Sequence, residues 1–295
     1  MNSAADMMVF DRTALRRHRN RMASRLPLHD FLLAEAAARL GERLADIKRD
    51  FRSVLLIGGA SFEDAILPRR PERLVLGDMA FRRLGEGAGN AAVFDEDALP
   101  FAEKSFDLVV SLLTLHWVND LPGALVQINR ALAPDGLVLA TMLGAGTLDQ
   151  LRIAWMKAEL EIHGGASPRV SPFADVRSLG GLLQRAGFAL PVVDNDTITA
   201  TYADPVRLMR EIRGMGEANA LIGRARTFAR RDALVRMAEL YREEFGEADG
   251  RIPARFDLVT LTGWAPDASQ PKPLKPGSAR LSLAKVLGTP PENGG

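Results

Sequence analysis

There is no cysteine in the 295 residues. That absence removes disulfides, thiolate metal sites and a cysteine nucleophile together, and it fits a reducing compartment. Histidine is nearly as scarce. His18, His29, His116 and His163 are the whole supply, and no two stand at close metal-ligand spacing. Charge of one sign is also missing, with 38 Lys and Arg against 37 Asp and Glu and a net charge of +1. No overall field therefore recruits nucleic acid or a membrane. No apolar run approaches the roughly 18 residues that a membrane span needs. The first residues lack the basic-then-apolar order of a secretory signal. They do carry Arg12, Arg16, Arg17, Arg19, Arg21 and Arg25, but Asp6 and Asp11 speak against an imported presequence. A basic helix is expected there, by default with a solvated face, otherwise meeting an acidic protein partner or closing over a bound ligand, and the cytoplasm is the expected location.

What remains is ordinary globular composition, 47% apolar and 25% charged, enough for a sizeable core. Residues 28–50 place Phe31, Leu32, Leu40, Leu44 and Ile47 near helical spacing behind Asp30, which predicts an amphipathic helix. Short apolar runs then recur: 54–57 ending in Gly58-Gly59, 73–78 ending in Asp78, 91–95 ending in Asp95, and 106–111 ending in Ser111. A helical stretch at 121–132 leads through Pro134-Asp135-Gly136, read as a turn, into a fifth run at 137–141. Uniformly apolar short runs suit strands buried on both faces, and their alternation with helices predicts a parallel, doubly wound α/β sheet. Further on, 148–162 and 176–186 read as helices, with Gly187 at a C-terminal cap. Residues 192–202 and 252–264 read as strands, and 204–245 as mostly helical with a break near Gly214-Met215-Gly216. The chain thus divides into a helical extension (1–50), a nucleoside-binding core (51–145), a C-terminal half completing the sheet with a helical cap (146–265) and a mostly extended tail (266–295). A docked piece is expected at 281–287. No internal repeat is visible.

In such sheets ligands sit beyond the carboxyl ends of the strands, where the strand order reverses. Gly58-Gly59 allows close backbone approach there. Asp78 follows about 20 residues after Gly58, the spacing at which an acid accepts ribose hydroxyls. Asp95, with Glu96 beside it, is placed to accept from an adenine amino group. Each signal is weak alone, since strand-ending acids are common turn residues; their order and spacing point to a nucleoside site.

The block from Asp95-Glu96-Asp97-Ala98-Leu99-Pro100-Phe101 through Ser105 to Ser111 resembles class I S-adenosylmethionine-dependent methyltransferases. Leu115-His116-Trp117-Val118-Asn119-Asp120 and Leu132-Ala133-Pro134-Asp135-Gly136 narrow the likeness to malonyl-acyl-carrier-protein methyltransferases. The likeness is closer still to the methyltransferase-like assembly factors of respiratory complex I. It continues through Val9 to Arg12, Gly146 to Leu148, Ser171 to Phe173, Leu182 to Phe188, Met215 to Asn219 and Asp249 to Pro253. It implies a seven-stranded, mostly parallel Rossmann-like sheet with S-adenosyl-L-methionine as cofactor. Gly58, Gly59, Asp78, Met79, Asp95, Glu96 and Ser111 would surround that cofactor, with His116 and Trp117 at the reacting end and no metal. One departure stands out. The family's first motif runs acid-x-Gly-x-Gly-x-Gly, and here Leu56, Ala60 and Phe62 replace the acid and the last two glycines. Leu56 offers no acceptor near the methionine end, and Phe62 brings bulk.

Methyl transfer to a carboxylate or a protein side chain is the activity so implied, with a small molecule or a protein, such as a respiratory-complex subunit, as acceptor. The complex I relative is an arginine hydroxylase, which makes hydroxylation the alternative, and a non-catalytic assembly protein is the third. Ser171-Pro172 reads as a loop device, and Met215 to Asn219 as a helix break or a cover over the pocket.

Overall fold

The computed structural model describes residues 8–85 and 89–271; the expected extended tail beyond 271, with its docked piece, lies outside the described residues. Seven strands form one sheet in the order β3-β2-β1-β4-β5-β7-β6. Strands β1 (Ser53–Ile57), β2 (Arg73–Asp78), β3 (Ala91–Val93), β4 (Phe106–Leu112) and β5 (Leu132–Leu143) run parallel. Strand β7 (Ile252–Trp264) pairs antiparallel with β5, and β6 (Ala189–Tyr202), antiparallel to β7 at the edge, again runs in the direction of the parallel strands. This is the seven-stranded, mostly parallel class I methyltransferase arrangement. Its strand order reverses at β1 and β4, which are neighbours although β2 and β3 lie between them in sequence.

The apolar runs become strands because both of their faces are buried. In β1, Val54 and Leu56 face one core and Leu55 and Ile57 the other. In β4, Leu108 and Val110 face the first core and Val109 the second. The first core takes helices α2 (Phe31–Ala45), α5 (Asp149–His163), α7 (Pro205–Gly214) and α8 (Arg231–Phe245); the second takes α4 (Leu121–Ala131) and α6 (Val176–Arg185). Each buried Leu or Ile contributes about 1.5–3 kcal/mol over an exposed one. The short α3 (Glu63–Ile66) follows β1 after Gly58-Gly59 and a 3-10 turn at Ala60–Phe62.

Three local expectations change. Asp30 precedes α2, but its side chain makes no capping bond. Pro134-Asp135-Gly136 lies inside β5: register passes from Phe106↔Leu132 to Leu108↔Leu137, so the extra residues bulge, with Asp135 at φ +60°. Residues 215–230 hold no α-helix, so α7 and α8 are farther apart than a single break suggests. Gly187 does cap α6, at φ +85°, its N–H donating to the Gln184 carbonyl. No helix among the described residues is long and apolar enough to cross a membrane.

Helix α1 (Arg12–Met22) lies across the C-terminal end of the sheet. Asp11 caps it, accepting from the Ala14 N–H. Ala14 and Leu15 pack with Phe10, Met79, Ala80, Trp117, Ala220 and Leu221 in a third, smaller core. The basic helix is therefore tied down, and Arg12 and Arg19 point inward with Leu15.

Candidate functional site

At the β1–β4 reversal the chain leaves β1 through Gly58, whose φ is +76°. A Cβ there would stand 2.3 Å from Thr114 Cγ2 and 2.6 Å from the Leu112 carbonyl oxygen. Glycine is required because the β1 and β4 loops press together. Gly59 is similarly tight against Leu56 and Ile66. Ser111, buried at the end of β4, shares a hydrogen bond with Thr114 (2.8 Å). Leu56 belongs to the first core and Phe62 packs against it. The altered motif has thus become apolar packing, and Leu56 supplies no acceptor.

Asp78 ends β2 and is 1% exposed. One carboxylate oxygen accepts from the Ala80 N–H at 2.7 Å, while Oδ2 is buried without a partner. Met79 beside it packs under α1 with Leu15 and Trp117. Beyond β3, Asp95 accepts from Arg12 Nε (3.0 Å) and Nη2 (2.7 Å). Glu96, fully buried, also pairs with Arg12, leaving Oε1 without a partner. Arg12 Nη1 donates to the Trp117 carbonyl at 3.1 Å, joining α1, the β3 acids and the β4 loop. Burial works against the Arg12 charge, yet Glu96 and Asp95 hold its pKa above the ordinary value. For Asp95 burial is outweighed by Arg12, which lowers the carboxyl; for Glu96 burial prevails and raises it.

Arg19 reaches the reversal point from the next turns of α1. Its side chain is fully buried, donating to the Leu113 carbonyl (3.1 Å) and to Glu217 (3.0 Å). Glu217 also accepts from the Trp117 indole N–H, and lies 3.8 Å from Arg83 and 3.6 Å from His116 Nε2. Burial raises the Glu217 carboxyl, but Arg19, His116 and Arg83 hold it well below the carboxylate range. Burial lowers His116 below its ordinary value despite Glu217, so the ring is neutral at pH 7. Its Nδ1 accepts from the Leu143 N–H at 3.4 Å, which places the proton on Nε2, facing Glu217. Arg83 donates to the Met215 carbonyl, and burial together with Arg19 lowers its pKa.

The expected residues thus gather at one end of the sheet. Sequence reasoning missed what they meet there: Arg12, Arg19, Arg83 and Glu217. The available signal was spacing, because Arg12, Leu15 and Arg19 share one face of α1, which leaves two arginines on the side Leu15 must bury. Polar atoms buried without a partner concentrate here: Asp78 Oδ2, Glu96 Oε1, Arg19 Nη1, Arg83 Nε and His116 Nε2. Such atoms are rare and costly in a finished interior, and mark ligand or water sites. Beside the network opens an apolar cavity of about 530 Å³, which Trp117, Ser171, Phe173, Met215 and Glu217 help to line. Among the described residues no cluster of three His, Asp or Glu side chains is arranged to hold a metal ion.

Comparison with known proteins agrees with this geometry. A family described as "Methyltransferase domain" matches residues 29–191. The zebrafish (Danio rerio) protein named "Arginine-hydroxylase NDUFAF5, mitochondrial" is 39% identical over 97% of this chain and 91% of its own length. A malonyl-[acyl-carrier protein] O-methyltransferase of Halorhodospira halophila is 33% identical over 94% of this chain and 96% of its own. The crystal structure of the YcgJ protein from Bacillus subtilis shares the fold, with a TM-score of 0.52 at 14% identity, covering 79% of this chain and 99% of that one.

Proposed function

The chain belongs to the methyltransferase-domain family, and from that premise we propose that it is a class I S-adenosylmethionine-dependent methyltransferase acting on a carboxylate or a protein side chain. The observation that carries the proposal is the pair of partnerless carboxylate oxygens, Asp78 Oδ2 and Glu96 Oε1, buried beyond β2 and β3. A nucleoside has hydroxyl and amino donors for acceptors so placed, and the donor chemistry of the site therefore fits the cofactor. Asp78 would hold the ribose; Glu96 and Met79 would flank the adenine, with Asp95 steadied by Arg12. The backbone at Gly58 and Gly59 and the Ser111 turn would border the methionine end. Because Asp78 and Glu96 are sealed from solvent and Glu96 is tied to Arg12 of α1, loading would involve displacement of that helix.

Bound S-adenosylmethionine supplies a methyl group already activated on a sulfonium sulfur. The protein's part is alignment and the exclusion of water. A carboxylate acceptor needs no base, which suits a site whose histidine is neutral and held in place. Trp117 is fixed by Glu217 through its N–H and by Phe10 through an edge contact at 5.2 Å, and it forms a wall of the apolar cavity where an acceptor would enter. His116 supports that wall from behind. Leu56, standing where an acid is usual, removes one charged partner. A charge-assisted bond is worth about 1.5–3 kcal/mol, so affinity falls about one to two powers of ten below that of a site with the acid.

The second reading is arginine hydroxylation of a protein partner, favoured by the 39% identity to relatives bearing that name. Incubating the protein with cofactor, iron, dioxygen, a reductant and a candidate acceptor, then weighing the acceptor, separates the readings. A gain of one methylene supports methyl transfer; a gain of one oxygen on an arginine supports hydroxylation; an acceptor left unchanged while the protein still binds it supports a non-catalytic assembly role. The cytoplasmic location suggested by composition belongs to the same proposal, and cell fractionation tests it.

A further inference from the structure

The apolar cavity does not stand alone. A second cavity of about 770 Å³ shares Arg169, Arg213, Asn219 and Phe228 with it, so the two are chambers of one cleft. The inner chamber is lined by Trp117, Leu143, Leu151 and Phe256 and reaches Glu217. The outer chamber carries Arg17, Arg21, Arg169, Arg213, Arg224 and Arg226, with Asp11 as its only acid. Asp11 is already held by Arg224 (2.9 Å), and Arg169 is held by Glu159. Arg17, Arg21, Arg213 and Arg226 make no side-chain hydrogen bond or ion pair among the described residues.

This concentration is local, for the chain as a whole has a net charge of only +1. Four unpaired guanidiniums from α1, the end of α7 and the loop before α8 therefore face one opening. They are spread over three elements and largely exposed, which suits several separated anionic groups better than a single phosphate. Phe228 stands fully exposed on the rim common to both chambers.

We propose that this cleft docks an acidic segment of a partner protein, its carboxylates over the outer arginines and one apolar side chain in the inner chamber beside Trp117. Charge complementarity selects the occupant, and the shared rim makes the two contacts simultaneous. The inference does not depend on methyl transfer, since neither Arg17 nor Arg226 touches the buried site.

The test uses the full chain without cofactor and a short dye-labelled peptide of Glu and Asp carrying one central Phe, followed by fluorescence anisotropy. Binding is expected, and it weakens as salt screens the exposed charges. The double change Arg17→Gln and Arg226→Gln lowers affinity about 3- to 10-fold, because each exposed pair is weak. Replacing the peptide's Phe by Ser lowers it about tenfold. Both substituted arginines are exposed and unpaired, so an unchanged melting temperature verifies folding. The proposal is overturned if the peptide fails to bind, if the Ser peptide binds equally well, or if the double variant binds as the parent does. It is equally overturned if the protein ignores the peptide but collects on vesicles of anionic lipid. A variant Asp78→Asn should still bind the peptide, which keeps this test separate from that of the cofactor site.

Discussion

Replacing Glu217 with Gln removes the one carboxylate that Arg19, Trp117, Arg83 and His116 converge on. The amide keeps nearly the same shape, so the change is electrostatic. Arg19 is fully buried and would keep the Leu113 carbonyl and one neutral amide oxygen, with no countercharge at position 217. The new NH₂ would also face the Trp117 N–H or a guanidinium, donor against donor. Breaking one side of a buried ion pair costs about 3–5 kcal/mol. For a chain of this length each kcal/mol moves the melting temperature by roughly 2 °C, so Glu217→Gln should melt about 6–10 °C below the parent. Thermal unfolding followed by circular dichroism reads this directly. Removing both partners, as Arg19→Met with Glu217→Met, should recover at least half of the loss, because no buried charge of that pair is left unmatched. A Gln variant within about 2 °C of the parent would refute the reasoning. So would a double variant whose loss equals the sum of the two single losses, since contacting residues must couple.

Gly58→Ala forces a side chain into a left-handed conformation and against the Leu112 carbonyl at 2.6 Å. The conformation alone costs about 1–2 kcal/mol, so urea unfolding should show a total loss of about 3 kcal/mol, and a loss below about 1 kcal/mol would contradict the packing described. His116, held below its ordinary value of 6.5 by burial, leaves the native state with fewer bound protons than the unfolded chain below about pH 6.5, so stability falls as pH drops through that range. In His116→Gln the melting temperature should therefore decline less between pH 7 and pH 5. The decline should persist in part, because burial lowers His18 as well; an identical slope in parent and variant would remove His116 from the explanation.

The parallel core was legible because strands buried on both faces must be apolar throughout, and the acids ending β2 and β3 stand out against such runs. Their spacing put Asp78 and the Asp95-Glu96 pair beyond the carboxyl ends of β2 and β3. The covering of those acids was legible only as one of the readings open to the basic helix. A helix bearing Arg12, Arg16, Arg17, Arg19 and Arg21 reads as a solvated face. Arg12 and Arg19 turn inward only because carboxylates from β3 and from the segment after α7 await them, and that pairing spans up to 198 residues of sequence. Glu217 was hidden for a related reason: flanked by a glycine and an alanine after a helix, it carries no local sign of being a hub. The bulge at Asp135 escaped because a Pro-Asp-Gly sequence signals a turn whether the chain reverses or merely detours within a strand. Both cavities lie between segments distant in sequence, which periodicity does not bring together.

The central claim, that Asp78 and Glu96 await a nucleoside beneath α1, is tested most directly by titrating S-adenosylmethionine into the purified full chain and into Asp78→Asn by calorimetry. The substitution keeps an oxygen for the Ala80 N–H and replaces the partnerless one. The account predicts saturable heat with the parent and an affinity lower by about 10- to 100-fold in the variant, the range expected for a charge-assisted bond. No heat from the parent at millimolar cofactor, or equal affinity in both proteins, would contradict it.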